Sequence, residues 1–376
     1  MRVLHAYKIY RPDVYGGIPH VMSTLSDMDG MTRDILVARR VGMGRRFWDG
    51  TDRVTAVSSL GTLFSTPVAP TYVFALAQMA RAVDLVVHHA PFPLVDLGLS
   101  GGLPPTTALV VHWHAEMVTR PFLAKLIAPL VRRTLQRADR IIVSDSVIIQ
   151  NSEFLPGYER KCVVLPYGCD TDFWARSEEL GDQSRPLPGF NGSKRIVSVG
   201  RLVAYKGFEV LLRALPSLDA HAVIIGDGPL RPSLEEKAKA LGVKHKVSFA
   251  GNLSNDEVRQ YLQAADVFAF PSMTCAEAFG LVQIEAMAAG LPIVNTSLKT
   301  AVPFVARHNR EALTVPPGDS VALADALRRI LEDPQLAYRL GRAGADRARS
   351  DFDQRRFVAQ IRDVYKEAVA SRQLPS

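Results

Sequence analysis

The sequence predicts an α/β protein built from two Rossmann-like, doubly wound parallel-sheet domains. Three observations carry that expectation. The chain has 376 residues, more than one hydrophobic core usually serves. Short runs rich in Val, Ile and Leu recur along it with little polar alternation, as in strands buried on both faces. Longer helical patterns separate these runs, and the alternation comes in two blocks.

The first block offers strands at residues 3–6, 35–38, 54–57, 85–88, 108–113, 141–144 and 163–165. The second offers 196–199, 222–225, 247–250, 267–270, 293–295 and 312–315. Between them, residues 166–194 hold Pro166, Gly168, Pro186, Pro188, Gly189 and Gly192 with mixed charge, which suits a linker. The boundary is set at 172/173, giving domains 1–172 and 173–351. A charged amphipathic helix pattern follows from Phe352.

Composition narrows the function classes. A hydrophobic fraction of 47% and a charged fraction of 22% are ordinary for a globular chain. Cys162, Cys169 and Cys275 form no C-x-x-C pair and no cluster with histidine, which points to a reducing compartment and away from zinc. The N-terminal apolar run is too short for a signal peptide. The uncharged stretch 54–80 contains Gly61, Pro67 and Pro70 and makes a poor membrane span. A cytoplasmic location is expected. The net charge of +7 is spread over both halves and admits anionic partners. No RNP, KH or zinc-finger signature is present, so nucleic acid is not expected among them.

Four motifs carry chemistry. The first is T-C-A-E-A-F-G-L-V-Q-I-E-A-M, from Thr274 to Met287. Phe279, Gly280 and Leu281 would open a helix after a strand, leaving unpaired N–H groups at a positive dipole end, where a diphosphate binds well. Gly280 keeps a side chain out of the way. Glu277 and Glu285 supply carboxylates for sugar and ribose hydroxyls. The second motif is V-S-V-G-R-L-V-A-Y-K-G, from Val197 to Gly207. A strand ends at Gly200; Arg201 can fork two phosphate oxygens and Lys206 adds a point charge. The third, Tyr15-Gly16-Gly17-Ile18, permits close backbone approach just after the first strand. The fourth is Val111-His112-Trp113-His114-Ala115-Glu116 at a strand end, where His114 ranks above His112 as a catalytic candidate. The spacing of these histidines and Glu116 matches no helical zinc motif, and no metal site is assigned. The D-x-D string at Asp170-Thr171-Asp172 reads as a linker turn.

With these residues, the chain resembles the large family-4 glycosyltransferases of the GT-B fold. The resemblance spans nearly the whole length and is most specific from Arg195 to Asp319. It rests on Glu277 and Glu285 as E-x7-E, Gly200 to Gly207 as the G-R-L loop, I-G-D-G-P at 225–229, the P-x-G-x-D turn at 166–170 and V-P-P-G-D at 315–319. It implies two Rossmann-like domains facing across a cleft, with the helix of residues 352–376 returning to the first domain. It implies that Arg201 and Lys206 bind the donor diphosphate, Glu277 the hexose and Glu285 the ribose. Leu253 would meet the base through its backbone, Gly16 and Gly17 would approach the donor, and His114 would stand near the anomeric carbon. It further implies retention of configuration and no metal requirement. Ala278 departs from the Gly or Pro common after the first glutamate.

The opening V-L-H-x-Y-K-I-Y-x-P-D-x-x-G-G and the A-E-A-F-G-L-V-Q-I-E-A-M string look similar to bacterial mannosyltransferases of surface-polysaccharide and lipopolysaccharide assembly. That similarity implies a GDP-mannose donor and a glycan or polyprenyl-diphosphate-linked acceptor. The residues themselves leave guanine or uracil, and mannose or glucose, open. A UDP-sugar-dependent transferase, a sugar-nucleotide epimerase and a non-catalytic sugar-nucleotide binder are the alternatives. Between Arg120 and Arg140 lie six basic residues and one acid, with Arg133, Arg137 and Arg140 at helical spacing. The pattern suits either a solvated face or peripheral contact with an anionic membrane.

Overall fold

The computed structural model describes every residue except 15, 27, 64–65, 117–120, 177–186, 188–193 and 374–376. Tyr15, Arg120 and the linker residues Pro186, Pro188, Gly189 and Gly192 therefore lie outside the described residues. The chain divides into two compact units, Met1–Tyr167 with Arg355–Ser376, and Gly168–Gln354.

The first unit is built on β1 (Arg2–Ala6), β2 (Thr32–Ala38), β3 (Arg45–Asp49), β4 (Asp52–Val57), the small hairpin β5 (Thr62–Leu63) and β6 (Thr66–Pro67), β7 (Leu85–Ala90), β8 (Ala108–Trp113), β9 (Arg140–Val143) and β10 (Cys162–Val164). Eight of them form one sheet in the order β10-β9-β8-β7-β1-β2-β4-β3. All pairs are parallel except β3 with β4. Helices α1 (Gly17–Thr24), α2 (Tyr72–Ala80), α3 (Pro93–Leu99), α4 (Pro121–Arg137) and α5 (Ser146–Asn151) connect them. Alternate residues feed two cores: Leu36 and Ala38 join Tyr72, Leu76 and Val131 on one face, and Ile35 and Val37 join Met22 and Tyr10 on the other. The period-2 geometry of a strand explains the split.

The second unit carries β11 (Arg195–Val199), β12 (His221–Ile225), β13 (Val247–Gly251), β14 (Val267–Ala269), β15 (Ile293–Thr296) and β16 (Ala312–Val315). They form an all-parallel sheet in the order β13-β12-β11-β14-β15-β16. Its helices are α6 (Thr171–Trp174), α7 (Phe208–Ala214), α8 (Arg231–Ala240), α9 (Asn255–Ala264), α10 (Leu281–Ala288), α11 (Val302–Val305), α12 (Ser320–Glu332) and α13 (Pro334–Asp351). The last helix, α14 (Gln354–Gln373), packs from Arg355 onward with the first unit. There Tyr365 is fully buried and its hydroxyl bonds His112 Nε2 at 2.9 Å.

Three expectations need correction. Residues 168–172, assigned to the first domain, lie in the second unit. The reason is local: the Cys169 N–H donates to Phe352 O and the Gln354 N–H to Cys169 O, each at 2.9 Å. A Cβ on Gly168 would sit 2.8 Å from Gln354 Cα, so glycine lets the two segments touch. Asp170 is a helix cap rather than a linker turn, its carboxylate accepting the Phe173 N–H at 3.0 Å. Arg140 does not continue the basic helix face; it opens β9. Arg137 is half-buried and donates to Thr107 O at 2.6 Å and Asp139 at 3.3 Å. Lys125, Arg132 and Arg133 remain exposed on α4, beside Leu126 at 67% exposure. Among the described residues no helix is long and apolar enough to cross a membrane.

Candidate active site

In the second sheet the strand order reverses between β11 and β14. Open α/β sheets bind ligands outside the carboxyl ends of their strands at such a switch point. β11 ends at Val199 and delivers Gly200 and Arg201; β14 ends at Ala269 and delivers the segment from Phe270 to Gly280.

These two segments converge. Lys206 Nζ lies 2.5 Å from Glu277 Oε2, with both side chains largely buried. Ser272, fully buried, donates from Oγ to the same carboxylate oxygen at 3.0 Å. Its own carbonyl accepts the Thr296 hydroxyl at 2.7 Å. The Lys206 stem crosses Gly200, where a Cβ would come within 3.4 Å of Cε. Lys206 Nζ also stands 5.3 Å from the centre of the Phe270 ring. A Cβ on Gly280 would lie 2.8 Å from the edge of that ring. Phe270 thus brings Lys206 and the start of α10 to one place. Gly280 holds the left-handed conformation that begins α10, φ 79 and ψ 58, and no side chain caps the helix. The Gln283 N–H already donates to Gly280 O at 2.8 Å, so the amides of Leu281 and Val282 are the ones a ligand would take.

Arg201 is exposed beside this group. Burial raises the Tyr205 phenol above its usual range; Lys206 and Arg201 pull it down and Glu277 pushes it up, which places Tyr205 among all three charges. Phe279 is buried, ring-to-ring with Phe352 at 6.3 Å. Leu281 is half-buried in the first turn. Glu285 is half-buried one turn further, and burial pushes its carboxyl up to about 7. Leu253 is half-buried between β13 and α9. There Ser254 caps α9 reciprocally with Glu257, at 3.3 and 2.8 Å, and the Gly226 N–H bonds Gly251 O at 2.7 Å.

In the first unit the strand order reverses between β1 and β7, and histidines crowd that point. His5, His89, His112 and His114 are all buried. His114 Nδ1 lies 2.6 Å from the Tyr167 hydroxyl, His114 Nε2 lies 2.8 Å from His89 Nδ1, and His89 Nε2 lies 2.9 Å from His5 Nδ1. Burial first, then the neighbouring imidazoles, hold His89 and His114 well below the usual histidine range. Burial alone takes His112 to about 3. His114 is thus a neutral imidazole with both nitrogens engaged. Glu116, grouped with it in sequence, instead accepts the Trp113 indole N–H at 2.9 Å. Gly16 precedes α1 with φ 174, extended backbone open to any residue, and a Cβ there would meet nothing within 4 Å. Gly17 is exposed as the first residue of α1.

Sequence reasoning missed Ser272, Phe270, Tyr205, Tyr167 and His89. Of these only His89 carried a signal, as the last polar residue of β7, which pairs with the strand that holds His112. The rest depend on packing that no spacing rule encodes.

Residues 182–347 match the model of the family described as glycosyl transferases group 1. A D-rhamnosyltransferase, WbpZ, of Pseudomonas aeruginosa is 31% identical over 94% of this chain and 92% of its own. O-antigen chain mannosyltransferase C of Escherichia coli is 28% identical over 97% of both chains. Among solved structures, sucrose-phosphate synthase from Thermosynechococcus elongatus shares the fold, with a TM-score of 0.80 at 20% identity over 99% of this chain and all of that one.

Proposed function

This chain belongs to the group 1 glycosyl transferases, and from that premise we propose that it moves a mannosyl residue from GDP-mannose to a growing surface glycan or a lipid-linked oligosaccharide. The observation that carries the reading is the convergence of Arg201, Lys206, Glu277 and the uncapped start of α10 at one switch point. A sugar-linked diphosphate matches that set: phosphate oxygens for Arg201 and the α10 amides, sugar hydroxyls for Glu277. Lys206 serves both, because it is already paired with the carboxylate that holds the sugar. The exposed Gly16 and Gly17 would let a ligand approach the backbone at the start of α1.

Transfer proceeds with retention by front-face substitution. The bond between the anomeric carbon and the diphosphate oxygen breaks and the acceptor oxygen bonds that carbon on the same face. The acceptor proton passes to the departing phosphate oxygen, and Arg201, Lys206 and the α10 amides stabilise the developing charge. This step calls for no metal. On this reading His114, neutral by burial, acts as a dipole rather than a cation. A second reading, a 6-deoxyhexose donor, is favoured by the similarity to a D-rhamnosyltransferase.

A thermal-shift panel of GDP, UDP and ADP with their sugars tests the donor through binding linkage. GDP-mannose should stabilise the protein most; equal response to UDP-glucose would overturn the guanine assignment. Glu285 adds a pH signature. Its folded value near 7 exceeds the ordinary 4.5, so the folded state binds that proton more tightly and loses stability as pH rises between the two. Ribose hydroxyls donate best to the ionised form, so the nucleotide shift should grow from about pH 6 to about pH 8, and Glu285→Gln should flatten it.

The acceptor side uses the exposed Lys125, Leu126, Arg132 and Arg133 of α4 for peripheral contact with an anionic cytoplasmic membrane face. Flotation with anionic vesicles at low salt should carry the protein up. Absence of flotation there, or equal flotation with neutral vesicles, removes the electrostatic contact.

A further inference from the structure

We propose that His89, His112 and His114 form a binding site for a divalent transition-metal ion of the zinc and cobalt class, separate from the diphosphate site. One ligand atom from each of the three lies within 4.8 Å of the other two. All three are buried, at 0%, 1% and 4% exposure.

The second nitrogen of each ring already has an orienting partner. His89 Nε2 lies 2.9 Å from His5 Nδ1, His112 Nε2 lies 2.9 Å from the Tyr365 hydroxyl, and His114 Nδ1 lies 2.6 Å from the Tyr167 hydroxyl. Metal-bound histidines are held in just this way, their outer nitrogen fixed by a hydrogen bond that sets ring direction and tautomer. The remaining nitrogens are His89 Nδ1, His114 Nε2 and His112 Nδ1. The first two share one hydrogen bond at 2.8 Å. His112 Nδ1 is buried without any partner, a state that buried polar atoms rarely keep.

The chemistry of the donors fits. Three imidazoles suit zinc, cobalt, nickel or copper and not magnesium or calcium. A neutral imidazole offers one ring lone pair to a metal. Filling the site needs no net proton loss: the proton between His89 and His114 moves to the outer nitrogen of one of them, facing His5 or Tyr167. Ligand nitrogens about 2.0–2.1 Å from a tetrahedral ion sit about 3.3 Å apart, so the His89 and His114 rings part by about half an ångström from 2.8 Å, and a pair at the 4.8 Å limit of the group closes by about 1.5 Å. Three protein ligands leave a fourth position, which an anion such as hydroxide or chloride fills.

Occupancy engages His114, so it should also slow sugar transfer. That effect rests on the proposed function, whereas binding itself does not. The test uses the full chain stripped with a chelator, incubated with Co²⁺ or Zn²⁺ and dialysed, with metal content and the visible cobalt spectrum as readouts. About one ion per chain and the intense bands of four-coordinate cobalt are expected. His112→Leu should abolish both, and His245→Ala, at an exposed histidine of the second unit, should change neither. If His112→Leu does not fold, Tyr365→Phe keeps the ring packing and should weaken binding about 10- to 100-fold by freeing the His112 ring. Less than a tenth of an ion per wild-type chain, or cobalt binding unchanged in both variants, overturns the site. Normal binding without inhibition would uphold the site and count against His114 in transfer.

Discussion

Turnover of the Arg201→Ala protein should fall by about a hundred- to a thousandfold, the usual scale for removing one preorganised donor to a developing oxyanion. The structure gives the argument its force. Lys206 is already tied to Glu277 at 2.5 Å, so it cannot commit its full charge to the leaving group. On the proposed function the exposed Arg201, after the central strand β11, would carry the larger share. Its planar fork takes two phosphate oxygens at once, which an ammonium does not. Arg201→Lys should therefore recover only part of the loss. Steady-state kinetics with saturating donor separate the effects: kcat should drop much more than KM rises. Near-normal turnover in the alanine protein would remove Arg201 from the transition state.

Gly207→Ala is expected to destabilise the second unit by roughly 3 to 5 kcal/mol, from an unfavourable left-handed backbone plus overpacking. Gly207 has φ 69 and ψ 21, and a Cβ would fall 1.9 Å from Pro271 O. The obstacle is backbone, so no rotamer change relieves it. The same contact joins the Arg201–Lys206 loop to the segment after β14, and the Met273 N–H donates to Tyr205 O at 2.7 Å across it. A shift that admits the methyl group moves the Lys206 loop against the segment that leads to Glu277. Thermal unfolding should show a midpoint lowered by roughly 6 to 20 °C for a domain of this size. Gly242→Ala serves as the control. Gly242 is left-handed as well, at φ 69, but a Cβ there meets nothing within 4 Å, so only the smaller backbone cost should appear. Equal midpoints for the two variants would refute the packing argument.

The parallel strands were legible because each is a near-continuous apolar run, as burial on both faces demands. β3 was not. Its sequence, Arg45-Arg46-Phe47-Trp48-Asp49, has no such run, because it is the antiparallel edge of the sheet and leaves Trp48 at 70% exposure. The candidate residues after β11 are legible for a similar reason: a strand, a glycine and a charged residue adjoin in sequence, as at Gly200-Arg201. Pairings between distant residues were not. Nothing in the spacing of Lys206 and Glu277 says that they bond. The histidine group draws His5, His89 and His112 from three strands and His114 from the residue after β8, and only the sheet order β8-β7-β1 makes them neighbours. Arg140 was misplaced because helical spacing continues numerically past Arg137, although the helix itself ends there.

The helix that returns to the first unit has a consequence for synthesis. Tyr365, which covers His112, is made almost two hundred residues after Tyr167 closes the N-terminal part of that unit. At ribosomal speeds of about 5–20 residues per second the gap is roughly 10 to 40 s. The nascent second unit can collapse within that interval, while the first waits on the ribosome with the face that α14 will cover still open. The part of the molecule begun first is therefore the part finished last.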